Sequence, residues 1–317
     1  MDKLRLAAGV VLKDCMAVKE GERVLIIIDG PKREIGEVLF EQASKLQAEA
    51  LLMEMLPRDN HGVEPPEAVA EAMKHADVIV IPTSKSLSHT CARREANERG
   101  ARIATMPDIT VEMMGRTLSA GYSQIAQRCL LYAGLLTEAD EVRISTPAGT
   151  DLAFSLKGRK GLADTGLVHA PGEFSNLPAG EAYAAPLEGT ANGKLVVDGS
   201  MAGIGKLKDP ITMTVKDGFV TQVTGGPDGE KLEAIMDRYG REARNIAELG
   251  IGLNELAQLT GSPLEDEKVL GTVHVGIGDN SNFGGTVSVP SHLDGILLSP
   301  TLTVDGRVLI DNGKLVK

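Results

Sequence analysis

The hydrophobic positions of residues 1–135 alternate between two patterns. Continuous apolar runs, such as 23–29, suit strands that are buried on both faces. Between these runs apolar residues recur at helical spacing, as Ile35, Leu39 and Ala43 do. The pattern predicts strands at 23–29, 50–55, 77–82 and 101–106, and helices around 35–46, 67–75 and 90–99. Regular alternation of strand and helix implies a parallel sheet, so we predict a doubly wound α/β domain over 1–135.

From residue 136 onward the pattern changes to short strands and turns. The segment 141–155 alternates around Pro147-Ala148-Gly149, as a hairpin would. Further segments that follow this pattern lie at 193–199, 211–223 and 304–310, and one helix is predicted at 231–247. We therefore predict an α+β, β-rich second domain over 136–317.

Composition and charge narrow the possible partners. Aromatic residues make up 3% of the chain and there is no Trp, which argues against a base-stacking nucleic-acid platform. The net charge of -11 argues against a phosphate backbone or an anionic membrane surface as partner. No apolar run approaches the length of roughly 18 residues that a membrane span needs. We expect a cytoplasmic protein with a small-molecule or peptide substrate.

The three cysteines do not indicate a metal or redox site. Cys15, Cys91 and Cys129 are an odd number, far apart, with no CxxC pair. This spacing argues against disulfides and excludes a zinc knuckle. We expect all three to be small buried hydrophobic residues.

The strongest chemical signal lies near the C-terminus, in His292-Leu293-Asp294. Side chains two apart in a strand point the same way, so His292 and Asp294 face one common site. His274 lies in a second strand-like run, 268–281, that ends in a glycine-rich turn. Two histidines and an aspartate on neighbouring strands make a nitrogen and oxygen cage for a divalent transition metal. The competing interpretation is a buried histidine paired with the aspartate, but the three residues together favour a metal.

Two glutamates in the second half extend this candidate site. Glu181 lies in a Pro/Gly-rich, otherwise apolar loop, where a buried carboxylate must find a partner. Glu248 lies beside glycines that allow close approach of the backbone. With the two histidines and Asp294 they give five ligands, enough for two ions that share one carboxylate. Glu181 and Glu248 are also the candidates for handling a proton in catalysis.

Four motifs in order resemble a known family. They are Asn-Leu-Pro-x-x-Glu-x-aromatic-x-x-Pro at 176–186, Glu-Leu-Gly at 248–250, His-x-x-x-Gly at 274–278 and His-x-Asp at 292–294. This order is similar to the metal-ligand set of the thermophilic-type metallo-aminopeptidases, which include aminopeptidases T and S. The resemblance spans the whole chain. It implies a pair of zinc or cobalt ions, removal of N-terminal residues from peptides, and a homodimer. The ligands it implies are Glu181, Glu248, His274, His292 and Asp294.

Two positions depart from the family pattern and leave alternatives open. Gly180 stands where the family has a second glutamate, and Ser281 stands where it has a tyrosine. The 2,5-dihydroxypyridine dioxygenases are similar to these aminopeptidases in sequence but use iron(II), which His274, His292 and Asp294 of this chain would hold as a triad. We expect a hydrolase resembling leucyl aminopeptidase, with weak or narrow activity. The alternatives are a mononuclear iron(II) ring-cleaving dioxygenase and a non-catalytic protein that binds a metal or a small molecule.

Overall fold

The structure is a computed structural model that describes residues 2–119 and 121–316. The chain forms two compact units, Met1–Ala126 with Asp164–Ala179, and Gln127–Ala163 with Gly180–Lys317. The sequence-based division at 135/136 differs from these units chiefly at 164–179. That segment belongs to the first unit because a short strand within it, Phe174–Asn176, pairs with a strand at 102–105.

Helices and strands are numbered here in chain order. The helices are α1 (Asp2–Gly9), α2 (Arg33–Lys45), α3 (Glu67–Met73), α4 (Cys91–Glu98), α5 (Val111–Thr117), α6 (Tyr122–Thr137), α7 (Gly226–Tyr239) and α8 (Pro263–Asp266). A π-helical turn over Val10–Cys15 continues α1, and 3-10 turns cover Gly30–Lys32 and Arg241–Arg244. The strands are β1 (Arg23–Asp29), β2 (Glu49–Met55), β3 (Val78–Ile81), β4 (Arg102–Thr105), β5 (Glu141–Ser145), β6 (Asp151–Ser155), β7 (Leu162–Asp164), β8 (Phe174–Asn176), β9 (Glu181–Ala184), β10 (Asn192–Val197), β11 (Ser200–Met201), β12 (Gly205–Lys206), β13 (Ile211–Lys216), β14 (Phe219–Thr224), β15 (Ile246–Gly252), β16 (Val273–Gly278), β17 (His292–Leu297), β18 (Thr301–Val304), β19 (Arg307–Asp311) and β20 (Lys314–Leu315).

The first unit is built on a parallel sheet, as predicted. Its strand order is β2-β1-β3-β4-β8, with every neighbouring pair parallel. Leu25 on one face of β1 belongs to a core cluster with Val69 and Met73 of α3. On the opposite face, Ile28 lies so close to Gly36 of α2 that a Cβ there would meet Ile28 Cγ2 at 2.5 Å. Helices therefore cover both faces of this sheet, which explains the continuous apolar run of β1.

The second unit is β-rich and antiparallel. One sheet has the order β14-β13-β10-β6-β5-β18-β19-β20, and the other has the order β12-β11-β17-β16-β15-β9-β7. The predicted hairpin at 141–155 is confirmed as β5 and β6, and that at 211–223 as β13 and β14. A parallel sheet followed by an antiparallel, β-rich region confirms the mixed α/β class.

Two sequence-based predictions in the second half are wrong in a way that matters for the site. The helix predicted at 231–247 ends at Tyr239, because Gly240 takes a left-handed conformation (φ 81°) that stops it. The residues from Ile246 onward then form β15, a fully buried central strand. Similarly, Glu181 does not lie in a loop but begins strand β9. Both glutamates are therefore fixed on regular strands.

Two further observations concern the cysteines and the helices. Cys15 and Cys129 are buried as expected, whereas Cys91 is exposed at the start of α4 and so contradicts that expectation. Within 2–119 and 121–316, the helices are all too short or too polar to cross a membrane.

Candidate metal centre

Four neighbouring strands of the second sheet carry all five predicted ligands. Glu181 lies on β9, Glu248 on β15, His274 on β16, and His292 and Asp294 on β17. These strands are adjacent in the order β9-β15-β16-β17 and pair antiparallel. Because side chains alternate along a strand, His292 and Asp294 lie on one face, as the spacing predicts.

A β-bulge turns Glu248 toward this face. Ile246 pairs with Ile277, but the register then shifts by one residue and Glu248 pairs with Gly276. Paired residues in an antiparallel sheet share a face, so Ile246 lies on the Ile277 face and Glu248 lies on the other. Without the extra residue, Glu248 would point with Ile246 into the apolar side of the sheet.

Glycines opposite the polar side chains make room for them. Gly250 pairs with His274, and Gly276 lies between Glu248 and Asp294 on the neighbouring strands. A Cβ on Gly250 would lie 1.8 Å from His274 Nε2, and one on Gly276 would lie 2.9 Å from Asp294 Oδ1. The cluster thus occupies a cradle that exists because these positions lack a side chain.

The ligating atoms form two groups that share one carboxylate. His274 Nε2 lies 3.2 Å from Glu181 Oε2 and 3.5 Å from Glu248 Oε1. His292 Nε2 lies 3.3 Å from Glu248 Oε2 and 3.2 Å from Asp294 Oδ1. Within each group, Glu181–Glu248–His274 and Glu248–His292–Asp294, all ligating atoms lie within 4.8 Å of one another. Glu248 therefore bridges the two imidazoles.

The His292 ring is oriented for metal binding. Its Nδ1 lies 2.7 Å from the backbone carbonyl oxygen of Asp279, so Nδ1 carries the hydrogen and donates it there. In the neutral ring this leaves the lone pair on Nε2, which faces Glu248 and Asp294. The His292 side chain is 28% exposed, whereas that of His274 is 1% exposed. Solvent therefore reaches the His292 end of the cluster.

Charge coupling within the cluster shifts the pKa of each histidine. Burial alone would lower the pKa of His274, but Glu181 and Glu248 outweigh it and raise this pKa to about 10. The pKa of His292 is likewise raised well above its ordinary value, against its burial, mainly by Asp294 and then by Glu248. The protons on these imidazoles supply the positive charge that the carboxylates require. A divalent ion supplies the same charge, so the donor atoms and the electrostatics both fit a metal.

A buried lysine adjoins the cluster and was not identified from the sequence. Lys268 Nζ lies 2.7 Å from Glu181 Oε1 and 2.8 Å from Glu267 Oε2. Burial would raise the pKa of Glu181, but Lys268 and His274 together lower it to about 2. Burial raises the pKa of Glu267 to about 8, with Asp294 and Glu181 adding to the increase. Lys268 and Glu181 are 87 residues apart in the chain, so no local pattern predicts the contact.

Two aromatic rings lie beside His292. Phe283 contacts the His292 ring edge-to-face, with 5.8 Å between centroids, and Tyr183 contacts Phe283 in the same manner at 5.7 Å. The loop that carries Phe283 is held by Asn280, whose backbone carbonyl accepts a hydrogen bond from the Gly285 N–H. Phe283 was not singled out from the sequence, because one Phe in a Gly-rich loop has no distinctive spacing.

The two departures from the aminopeptidase pattern have structural counterparts. Ser281 is exposed, and its hydroxyl donates to the carboxylate of Asp279 at 3.1 Å. Its described contacts therefore stabilise the loop. Gly180 is buried with φ 127°, a conformation that favours glycine, and its carbonyl accepts the Leu253 N–H at 2.8 Å. A glutamate at this position would strain the backbone.

Comparison with known proteins shows which of the two expected enzyme families matches this chain. The family model described as NicX: 2,5-dihydroxypyridine 5,6-dioxygenase matches residues 7–317. The chain belongs to this family. The 2,5-dihydroxypyridine 5,6-dioxygenase of Pseudomonas putida is 26% identical over 267 residues, which are 78% of this chain and 73% of that protein. This member of the NicX family is therefore an enzyme, of the dioxygenase type.

Two solved structures share the fold of this NicX-family chain. The 2,5-dihydroxypyridine dioxygenase from Pseudomonas putida KT2440 has a TM-score of 0.82 and 22% identity, and the match covers 98% of this chain and 96% of that chain. AmpT from Thermus thermophilus has a TM-score of 0.74 and 16% identity, with 100% and 99% covered. At these identities both likenesses establish the architecture and not the reaction.

The expectation of an aminopeptidase-like hydrolase is wrong. The family match and the curated relative both indicate a dioxygenase, and the likeness to AmpT is weaker in both TM-score and identity. The expectation of a metalloprotease is wrong for the same reason. The expected pair of zinc or cobalt ions is no longer supported, because it came from the resemblance to the aminopeptidases. The resemblance to the aminopeptidases reflects a shared fold and a similar set of metal-ligand motifs.

We predict that Gly250→Ala disrupts the centre. The added methyl overlaps the His274 ring, which must move or force the strands apart. Overpacking of this kind lowers the free energy of unfolding by about 1–3 kcal/mol, and metal affinity should fall as well. Urea unfolding and calorimetric metal titration measure the two effects. Gly134→Ala is the control, because a Cβ there meets nothing within 4 Å. Normal metal binding by Gly250→Ala would contradict the described packing.

We also predict that metal binding releases protons. Both imidazoles are protonated at pH 7 in the metal-free protein because their pKa values are raised. A ligating imidazole must be neutral, so binding of Mn²⁺ or Fe²⁺ should release about two protons at pH 7. The affinity should weaken as pH falls and strengthen as pH rises toward 10. Calorimetry in buffers of different ionisation enthalpy counts the protons. Binding without proton release would show that the imidazoles are not ligands.

Proposed function

We propose that this protein is an iron(II)-dependent dioxygenase that opens the ring of a dihydroxylated pyridine. The family match and the Pseudomonas putida relative support the reaction and the substrate class. The observation that carries the proposal is the position of the Glu248 carboxylate between two imidazoles, 3.5 Å from His274 Nε2 and 3.3 Å from His292 Nε2, with Asp294 3.2 Å from His292. Two imidazoles and one carboxylate are the donor set of non-haem iron(II) oxygenases.

We infer that His274, His292 and Asp294 hold a single iron(II). Both imidazole Nε2 atoms face the Glu248 carboxylate, so a cation that takes both nitrogens lies next to Glu248. When bound, iron(II) supplies the redox reactivity toward dioxygen that these side chains lack. The backbone carbonyl of Asp279 keeps the His292 ring in its ligating orientation.

Glu248 is the better candidate of the two glutamates for handling a proton. Glu181 Oε1 accepts a hydrogen bond from the Lys268 ammonium. Glu248 faces the two imidazoles instead of the ammonium, so a substrate beside His292 would bring a ring hydroxyl within reach of this carboxylate, which can accept its proton. Glu248 also belongs to the group that includes the more exposed His292. We assign proton transfer to Glu248 and electrostatic support to Glu181.

Phe283 and Tyr183 suit an aromatic substrate. Aromatic residues are 3% of this chain, yet Phe283 contacts the His292 ring edge-to-face and Tyr183 contacts Phe283 in the same manner. A substrate ring offers the same kind of contact. We infer that Phe283 borders the position of the ring. The homodimer and the cytoplasmic location expected from the sequence stay predictions.

Ring cleavage with oxygen uptake tests the proposed function. Protein loaded anaerobically with Fe²⁺ should consume one O₂ per 2,5-dihydroxypyridine, and ¹⁸O₂ should place both atoms in the product. His292→Ala and Asp294→Ala should bind almost no iron and show no turnover, because each loses a ligand. Oxygen uptake, mass spectrometry and iron analysis provide the measurements.

A matched control separates ligand loss from general damage in this experiment. His75→Ala changes an exposed histidine of the first unit and should keep both iron and activity. Full ring cleavage by iron-free protein, or by His292→Ala, would refute the assignment.

We predict that Phe283→Leu weakens substrate binding more than turnover. Loss of an aromatic contact typically costs about 0.5–1.5 kcal/mol, so KM should rise about twofold to tenfold with little change in kcat. Phe219→Leu is the control, because Phe219 lies on β14 under the Arg241 guanidinium. Steady-state kinetics of both variants provide the comparison. An unchanged KM in Phe283→Leu would place the substrate ring elsewhere.

A further inference from the structure

Lys268 is a buried cation at the Glu181 end of the metal cluster, and the proposed reaction does not use it directly. Its side chain is 2% exposed. The ammonium lies between Glu181 Oε1, at 2.7 Å, and Glu267 Oε2, at 2.8 Å. A buried lysine is costly to desolvate, so its position requires these charged partners.

The backbone around Lys268 holds the side chain in place. The Lys268 N–H donates to the Glu265 carbonyl, and the Lys268 carbonyl accepts the Asn254 N–H at 2.8 Å. The preceding helix α8 is tied to β11, because the Ser200 hydroxyl donates to the buried Asp266 carboxylate at 2.6 Å. The backbone position from which the Lys268 side chain extends is therefore fixed.

The Lys268 ammonium lies beside the ligand group that contains Glu181. Glu181, Glu248 and His274 together offer three ligating atoms within 4.8 Å, a group that resembles a second metal site. An ion bound there would share the Glu181 carboxylate with the Lys268 ammonium. Two cations on one buried carboxylate repel each other with little screening by solvent. The Lys268 contacts with Glu181, at 2.7 Å, and with Glu267, at 2.8 Å, place the ammonium at the Glu181 end of the cluster.

We propose that Lys268 limits this centre to one divalent ion, because its ammonium occupies the carboxylate that a second ion would need. The inference rests on the proposed function, because it takes the active protein to hold a single iron(II). It concerns the number of ions bound, however, and it is tested without any turnover.

Mn²⁺ is the probe, because it binds nitrogen and oxygen ligands and reports its neighbours by EPR. Wild-type protein should bind one equivalent in calorimetry and give the six-line spectrum of an isolated ion. Lys268→Met, which keeps the length of the side chain without its charge, should bind a second equivalent and lose the six-line spectrum through coupling between the ions. Lys268→Arg keeps the charge and should bind one equivalent, like the wild type.

A second variant guards against misfolding of Lys268→Met, which leaves the buried Glu267 carboxyl without its Lys268 contact. Lys268→Met/Glu267→Gln removes both partners of that contact and keeps Glu181, so it too should bind two Mn²⁺. Circular dichroism and thermal unfolding identify which of the two variants is folded. The proposal is overturned if wild-type protein binds two ions, or if the folded variant binds one. Absence of ring cleavage in the wild type would refute the proposed function and leave these counts unaffected.

Discussion

The site depends on the pairing of polar side chains with glycines across neighbouring strands. β15 and β16 share one order of residue types, which begins at Glu248 and His274: polar, aliphatic, glycine, isoleucine, glycine. Leu249 pairs with Val275 at the centre of this antiparallel match. Each polar residue then lies opposite the first glycine of the other strand, so a carboxylate and an imidazole approach without competing side chains. The bulge before Glu248 sets this register.

The parts of the fold with a local signal could be predicted from the sequence. The run at 23–29 became β1 with the same bounds, and the two-residue spacing of His292 and Asp294 placed them on one face of β17. The end of α7 and the strand nature of 246–252 were missed. A helical pattern in 231–243 continued into residues 246–252, whose strand alternation was hidden by two glycines and a bulge. Tertiary pairing, not local periodicity, makes that segment a strand.

The functional misassignment has a similar origin. The five ligand positions, of which Glu181 and Glu248 are two, are set by the fold, and AmpT shares that fold. They do not by themselves distinguish hydrolysis at two ions from oxygen chemistry at one. We infer that the groups around the candidate ligands carry that distinction, and those groups come from distant parts of the chain. Lys268 reaches Glu181 from 87 residues away, and Phe283 reaches His292 from a loop without a motif. Sequence order does not show such contacts.

The alternation of β15 and β16 has a consequence for how such a protein diverges. Leu249, Ile251, Val275 and Ile277 are fully buried and lie on the face opposite the polar cluster. The aliphatic positions of these strands therefore contribute to stability, and the alternate positions on the other face carry the polar groups of the site. The polar residues face glycines across the strands but pair with one another, so a substitution at one of them requires a matching change at its ionic partner on the same face. A lineage can thus exchange its metal and its substrate by substitutions on one face, while the free energy of unfolding supplied by the other face changes little.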